Sequence, residues 1–216
     1  MFRVRLEERK FFDVVYPFSK ERVLIEAPHA GGPHRDNYTG FIAWELFERY
    51  GLGGIISRTS RELVDFNRGE EENKSYQREG IAKRNEAIAK LFEHLGWKGE
   101  EPLLYLALHG VKDENVNRHG ADFILGTIRG ELCPAEFRDS FQEGLSMALK
   151  AAQAPSRGKS EVSKYVGHPS LLRLKELFGP NLFIIQLELS ATLRKKYTEE
   201  LISALFLAVK GALRRL

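Results

Sequence analysis

The feature that most constrains the fold of this chain is an alternation between short apolar runs and longer amphipathic segments. Apolar runs at residues 22–27, 53–58, 103–110 and 182–189 predict buried strands, and FRVRL near the N-terminus predicts a weaker one. Segments at 39–51, 75–97, 134–153, 168–179 and 198–216 predict amphipathic helices, and the polar stretches 67–76 and 153–165 predict loops. This order of elements predicts an α/β fold in which four to six helices cover a central sheet of about five strands.

Composition limits the number of domains and the class of partner. With 216 residues, 43% of them hydrophobic, the chain can form one substantial core, and we predict a single domain over residues 1–216. Lys and Arg exceed Asp and Glu by only 33 to 30, and this net charge of +3 argues against a nucleic-acid partner. We interpret the basic residues of TLRKK and ALRRL, near the C-terminus, as residues that decorate helix ends and complement the helix dipole.

The expected compartment follows from cysteine usage and from the length of the apolar runs. The single cysteine, Cys133, cannot form an internal disulfide, which suits a reducing cytosol. No apolar run reaches the roughly 18 residues that could span a bilayer, and the N-terminal stretch lacks the apolar core of a signal peptide. We therefore expect a soluble cytoplasmic protein with no membrane partner, and the sequence leaves the oligomeric state open.

Three of the predicted strands end in a residue that can bind or activate a ligand. The run VLIEAPH ends at His29, LLYLALH ends at His109 and LFIIQLE ends at Glu188. In an open α/β sheet, ligands bind at the carboxyl ends of the parallel strands, so these residues are expected to converge on one site. Glycines closely follow both histidines and would let the backbone approach a ligand.

Two histidines and a carboxylate are the typical protein ligands of a catalytic zinc ion. His29 and His109 supply the imidazoles, and the candidates for the carboxylate are Asp36, Asp13, Asp65 and Glu26. Strand alternation turns Glu26 away from His29, whereas the loop that carries Asp36 can fold back toward it, so Asp36 is favoured. His34, on the same loop, is a competing ligand.

Glu188 is expected to lie on a buried strand, where an unpaired carboxylate is costly. Its functional interpretation is a general base for a zinc-activated water, and its structural interpretation is a salt bridge to a neighbouring basic residue. Cys133 has no recognisable base beside it and is interpreted as a small buried residue.

Five segments together resemble the N-formylglutamate amidohydrolase family. The segments are APHAGG, DNYTGFIA, SRTSRELVDFNRG, LALHG followed by ADFILGTIRGELC, and IIQLELS. The resemblance implies a zinc carboxypeptidase-like, phosphorylase/hydrolase-like fold of three α/β/α layers with a mixed, mostly parallel central sheet. It also implies that His29, Asp36 and His109 bind the metal and that Glu188 takes the place of the catalytic glutamate.

Further roles follow from this resemblance and from charge. Asn67 and Arg68 resemble the Asn-Arg pair with which carboxypeptidase-like enzymes hold a substrate carboxylate, although Asp65 and Arg68 could instead brace a turn. Arg61 is the favoured group for stabilising an oxyanion, with Arg58 and Arg118 as substitutes. Asp122 and Thr127 are candidates for orienting a metal histidine.

The expected activity is zinc-dependent hydrolysis of an amide bond in a small acidic N-acyl amino acid or peptide, with another divalent metal as a substitute for zinc. One alternative is hydrolysis of a different amide, such as a poly-γ-glutamyl or peptidoglycan link. A second alternative is a non-catalytic α/β domain in which the same residues form a structural metal site, closed by a fourth protein ligand.

Overall fold

An eight-stranded mixed sheet forms the centre of the computed structural model, which describes residues 5–68 and 75–215. The strands are β1 Arg5–Glu8, β2 Phe12–Tyr16, β3 Val23–Ala27, β4 Gly53–Ser57, β5 Leu103–Val111, β6 Phe123–Gly126, β7 Gly158–Ser160 and β8 Leu182–Ser190. Their order across the sheet is β1-β2-β4-β3-β5-β8-β6-β7. The four central strands β4, β3, β5 and β8 run parallel, whereas the pairings β1–β2, β2–β4 and β6–β8 are antiparallel.

Helices cover both faces of the sheet. Within residues 5–68 and 75–215 they are α1 Thr39–Tyr50, α2 Ser75–Leu95, α3 Asp113–Asn117, α4 Ala135–Ala151, α5 Ser170–Phe178, α6 Ala191–Lys196 and α7 Thr198–Leu213. On one face, α1, α4 and α7 share a core with the sheet through residues such as Ile42, Phe141 and Leu205. On the other face, α2 and α5 contribute Ile88 and Leu174 to a second core. The prediction of a three-layer α/β/α fold with a mostly parallel sheet is therefore confirmed.

The central strands are uniformly apolar because both of their faces are covered. All residues of β3 and β8 are buried, and the two strands flank β5. The carboxyl ends of these three strands therefore meet at one edge of the sheet, where the β5–β8 register places His109 opposite Glu188. This edge is where polar side chains from distant parts of the sequence converge.

The number of strands is larger than the sequence predicts. The described strands include β2, β6 and β7, which the apolar pattern does not predict, and β7 lies inside the stretch 153–165, for which the sequence predicts a loop. β6 and β7 are only four and three residues long, too short for a periodic pattern to stand out, and in β2 Asp13 interrupts the apolar run. Of the predicted strand FRVRL, residues 2–4 lie outside the described residues, and β1 begins at Arg5. No helix in the described part of the chain is long and apolar enough to cross a membrane.

Candidate metal centre

His29 lies just beyond the end of β3, and the loop that follows it returns the chain to the same place. The Asp36 N–H donates to the His29 carbonyl oxygen at 2.8 Å, and the Thr39 hydroxyl donates to the Asp36 carbonyl oxygen at 2.7 Å. Gly31 permits this course because a Cβ added there would lie 2.4 Å from the Arg58 carbonyl carbon. The loop therefore holds Asp36 beside the His29 ring at the start of α1.

His109, near the end of β5, completes a group of three side chains. Nδ1 of His29 and Nδ1 of His109 each lie 3.5 Å from Oδ2 of Asp36. The centroids of the two imidazole rings are 5.0 Å apart, with the ring planes at 72°. One ligand atom from each of the three side chains lies within 4.8 Å of the others. The structure thus brings together the three residues that the sequence predicted as metal ligands.

This donor set fits a zinc ion. The separation of 3.5 Å is long for a hydrogen bond but close to the roughly 3.3–3.4 Å between two ligands of a tetrahedral zinc. Nδ1 of His29 is buried and has no hydrogen-bond partner among the described residues. Within residues 5–68 and 75–215, no fourth His, Cys, Asp or Glu joins the group. A tetrahedral ion held here would therefore keep one position for water or substrate.

Asp65 fixes the orientation of His29 from the far side of the ring. Oδ1 of Asp65 lies 2.7 Å from Nε2 of His29, and because a carboxylate only accepts, the proton of the neutral imidazole is on Nε2 and its lone pair is on Nδ1. The Gln77 side chain makes two hydrogen bonds of 2.7 Å with the backbone N–H and carbonyl of Asp65. The sequence offers Asp65 as a candidate metal ligand, but in the structure Asp65 contacts His29, on the side of the ring away from Asp36.

Charges within this group move several pKa values. Burial raises the pKa of Asp36, but the neighbouring imidazoles of His109 and His29 and a hydrogen bond from the Gly110 N–H outweigh it and hold that pKa well below its usual range. Burial also raises the pKa of Asp65, and its bond with His29 more than reverses the effect. Burial lowers the pKa of His29, yet Asp36 and Asp65 raise it above its ordinary value. Both carboxylates are therefore ionised at neutral pH, which favours a bound cation.

Glu188 lies next to His109 because β5 and β8 pair in parallel with these two residues in register. Its side chain is 8% exposed, and Oε1 accepts a hydrogen bond of 2.8 Å from Nε2 of Gln186. This partner is a neutral amide, whereas the structural interpretation of Glu188 required a basic residue. The carboxylate is thus held at the same sheet edge as the candidate ligands.

The other predicted site residues contact the carboxylates of Asp36 and Asp65. Nη2 of Arg61 donates to Oδ1 of Asp36 at 3.1 Å. The Asn67 N–H donates to Oδ1 of Asp65 at 3.0 Å, and Nε of Arg68 lies 3.7 Å from Oδ2 of Asp65. The side chains of Arg61 and Arg68 are 36% and 50% exposed, so both guanidinium groups face accessible space.

Several residues weighed from the sequence lie away from the group. His34 is exposed and pairs with Glu62 at 2.9 Å, and it lies outside the group of three side chains. The remaining carboxylate candidates have other partners: Asp13 pairs with Arg58, and Glu26 accepts a hydrogen bond from Tyr105.

The expectation that Asp122 and Thr127 orient a metal histidine is wrong. Asp122 accepts two hydrogen bonds from the Arg157 side chain, and Thr127 donates to Glu161. The group that orients His29 is instead Asp65, for which the sequence predicts only a ligand or a turn brace.

Two further residues at the site escaped the sequence analysis. Gln186 bonds Glu188 and lies two residues before it on β8, so strand alternation could have placed both side chains on one face. Arg194 lies in TLRKK, where it was interpreted as a helix-end residue, but it is only 5% exposed and packs against Gly110. Nothing in the local sequence separates it from the neighbouring lysines.

Comparison with solved structures places this fold in a known class. The chain is similar to N-formylglutamate amidohydrolase from Ralstonia eutropha JMP134, with a TM-score of 0.69 and 16% identity over 96% of this chain and 99% of that chain. A metallo-carboxypeptidase from Burkholderia cenocepacia has a TM-score of 0.53 at 14% identity, over 100% of this chain and 66% of that chain. A bacteriophage poly-gamma-glutamate hydrolase has a TM-score of 0.52 at 13% identity, over 100% of this chain and 91% of that chain. No protein-family model and no curated protein sequence matches the chain.

The fold is therefore zinc carboxypeptidase-like. Its structural neighbours include an N-formylglutamate amidohydrolase, which confirms the resemblance noted from the sequence motifs at the level of the fold.

Proposed function

We propose that this chain is a metal-dependent amidohydrolase with zinc bound by His29, Asp36 and His109. The observation that carries the proposal is the placement of two imidazole Nδ1 atoms at 3.5 Å from one carboxylate oxygen, beside the buried Glu188. The zinc carboxypeptidase-like fold supports a hydrolase, because its neighbours include proteins described as amidohydrolase, carboxypeptidase and hydrolase.

Zinc at such a site supplies Lewis acidity and lowers the pKa of a water to roughly 7. We assign to Glu188 the transfer of a proton from the attacking water to the leaving amine, and its position beside His109 on the β5–β8 ladder supports this role. Gln186 holds the Glu188 carboxylate through its hydrogen bond. Arg61 contributes a partly exposed cation beside Asp36 that can stabilise negative charge on the substrate carbonyl oxygen.

The substrate we propose is a small acidic amide, such as an N-formylglutamate-like N-acyl amino acid. Arg68 offers a planar, half-exposed guanidinium suited to a carboxylate. The Ser170 hydroxyl donates to the Asn67 carbonyl oxygen at 3.0 Å, and the Asn67 N–H is bound to Asp65. These two hydrogen bonds fix the backbone of Asn67 and do not involve its side-chain amide, the group proposed to bind the substrate carboxylate.

A poly-γ-glutamyl link is a second candidate substrate, favoured by the similarity to the bacteriophage poly-gamma-glutamate hydrolase. A purely structural metal site is less favoured, because three candidate ligands and no fourth meet among the described residues.

The test combines metal content with turnover. The purified chain is loaded with zinc, its zinc content is measured, and hydrolysis is screened with N-formyl and N-acetyl amino acids and with poly-γ-glutamate. His109→Ala is expected to lose zinc, whereas Glu188→Gln keeps stoichiometric zinc and loses turnover at least about 100-fold. Glu136→Gln, at an exposed position of α4, makes the same chemical change away from the site and is expected to act as wild type.

Each outcome has a defined meaning. Hydrolysis of N-acyl amino acids supports the first candidate, and hydrolysis of poly-γ-glutamate alone selects the second. Stoichiometric zinc in His109→Ala contradicts the ligand assignment, and a zinc-loaded wild type that hydrolyses none of these amides contradicts the amidohydrolase proposal.

A further inference from the structure

Arg194 on α6 has a guanidinium group that contacts three separate segments of the chain. Its Nε donates to the Leu189 carbonyl oxygen at 3.0 Å, Nη2 donates to the Val111 carbonyl oxygen at 3.2 Å, and Nη1 donates to the Asn37 carbonyl oxygen. With 5% of its surface exposed, the residue belongs to the interior. A charge so buried is costly unless it is hydrogen-bonded, and each of the three guanidinium nitrogens has a carbonyl partner.

Each accepting carbonyl lies one or two residues after a candidate functional side chain: Leu189 follows Glu188, Asn37 follows Asp36, and Val111 lies two residues after His109. A single rigid, planar cation therefore joins the backbone of β8, the loop before α1 and the end of β5.

Gly110 provides the space that this arrangement needs. A Cβ added at Gly110 would lie 2.6 Å from Cζ of Arg194. It would lie 2.7 Å from Nη1 and 2.9 Å from Nη2 of the same side chain. The Gly110 N–H also donates to Oδ2 of Asp36 at 3.0 Å. The absence of a side chain at this position thus lets the guanidinium and the Asp36 carboxylate approach the same peptide.

We propose that Arg194 is a positioning residue that holds Asp36, His109 and Glu188 in the relative geometry needed to bind and use a divalent cation. The inference rests on the proposed metal site. It assigns no direct contact between Arg194 and the metal or the substrate, since the three hydrogen bonds from its guanidinium nitrogens all go to backbone carbonyls.

The positioning role and a purely electrostatic role predict opposite effects on metal affinity. A fixed positive charge near a bound cation repels it, so charge alone predicts that removing Arg194 tightens zinc binding. Positioning predicts the reverse, because losing the three bonds lets the segments that carry the ligands move apart. Lysine keeps the charge but is not a planar fork that can bond three divergent carbonyls.

The experiment measures the zinc dissociation constant by competition with a chromophoric chelator, together with the melting temperature of the metal-free protein. Arg194→Met is expected to weaken zinc binding about 10–100-fold, and Arg194→Lys is expected to weaken it by a smaller factor. Lys196→Met removes a positive charge from the exposed end of the same helix and is expected to bind zinc as wild type does. Unchanged or tighter binding in both Arg194 variants overturns the proposal.

Gly110→Ala tests the positioning role of Arg194 while the arginine is still present. This variant provides the test if Arg194→Met does not melt cooperatively. The added methyl displaces the guanidinium, so Gly110→Ala is expected to bind zinc more weakly. The double variant with Arg194→Lys is expected to lose little further zinc affinity. Wild-type zinc affinity in Gly110→Ala contradicts the proposal. So does a double variant whose fold-loss of zinc affinity equals the product of the fold-losses in the two single variants. If wild type itself binds no zinc, the proposed function fails; if wild type binds and the variants match it, only the role of Arg194 fails.

Discussion

Nε2 of His29 donates to Oδ1 of Asp65 at 2.7 Å, while Nδ1 of the same ring faces Asp36. One imidazole is thus held between two carboxylates, one that orients it and one that would share a metal with it. This pairing fixes the tautomer that leaves a lone pair on Nδ1, and it increases the basicity of that nitrogen.

Replacing Asp65 by Asn should weaken zinc binding about 10–100-fold, because the amide no longer stabilises the protonated Nε2 of His29 with a full charge. The measurement is the zinc dissociation constant by chelator competition. Asp13→Asn is the matched control, since Asp13 pairs with Arg58 away from the candidate ligands and should leave the constant unchanged. Equal zinc affinity in Asp65→Asn and wild type would show that Asp65 does not act through His29.

Replacing Gly31 by Ala should destabilise the metal-free protein by about 1–3 kcal/mol, because the new methyl would overlap the Arg58 backbone and force the loop to move. The same shift should weaken zinc binding, since this loop joins His29 to Asp36. Gly211→Ala is the opposite case: apart from its chain neighbours and the backbone of its own helix, α7, no described atom lies within 4 Å of an added Cβ. That variant should be more stable by about 0.5–1 kcal/mol. Denaturant unfolding measures both, and an equal effect of the two substitutions would contradict the account of the loop.

The Asp122–Arg157 pair predicts a pH dependence of stability. Burial raises the pKa of Asp122, but hydrogen bonds from the Arg157 side chain and backbone outweigh it and leave the folded-state pKa below its ordinary value. A depressed folded-state pKa contributes stability above the unfolded-state pKa of about 3.9, and that contribution is lost as pH falls through the folded-state value. Asp122→Asn should therefore cost about 1–3 kcal/mol at pH 7 and progressively less toward pH 2. A difference in unfolding free energy that stays constant over this range would refute the role of the ionised carboxylate.

The candidate ligands were readable from the sequence because strand ends are places that topology brings together. His29, His109 and Glu188 each follow an apolar run, and parallel central strands converge at their carboxyl ends. Asp36 was identifiable because its loop is short enough to return to His29.

Other parts of the molecule carry no such signal. In TLRKK the three basic residues look alike, and only the packed structure singles out Arg194 as buried above Gly110. The strand β7 is three residues long and reads as Gly-Lys-Ser, so its place in the sheet depends on pairing with β6 rather than on its own composition. The cytoplasmic location, the lack of a nucleic-acid partner and the single domain over residues 1–216 stay predictions.

Binding of one metal ion by His29, Asp36 and His109 can be seen by anomalous diffraction from zinc-soaked crystals, with data collected on both sides of the zinc absorption edge. We expect one strong anomalous peak within about 2.0–2.2 Å of Nδ1 of His29, Nδ1 of His109 and an Asp36 carboxylate oxygen, with a fourth position open to solvent. A peak bonded to other side chains, or none between these three at saturating zinc, would contradict it.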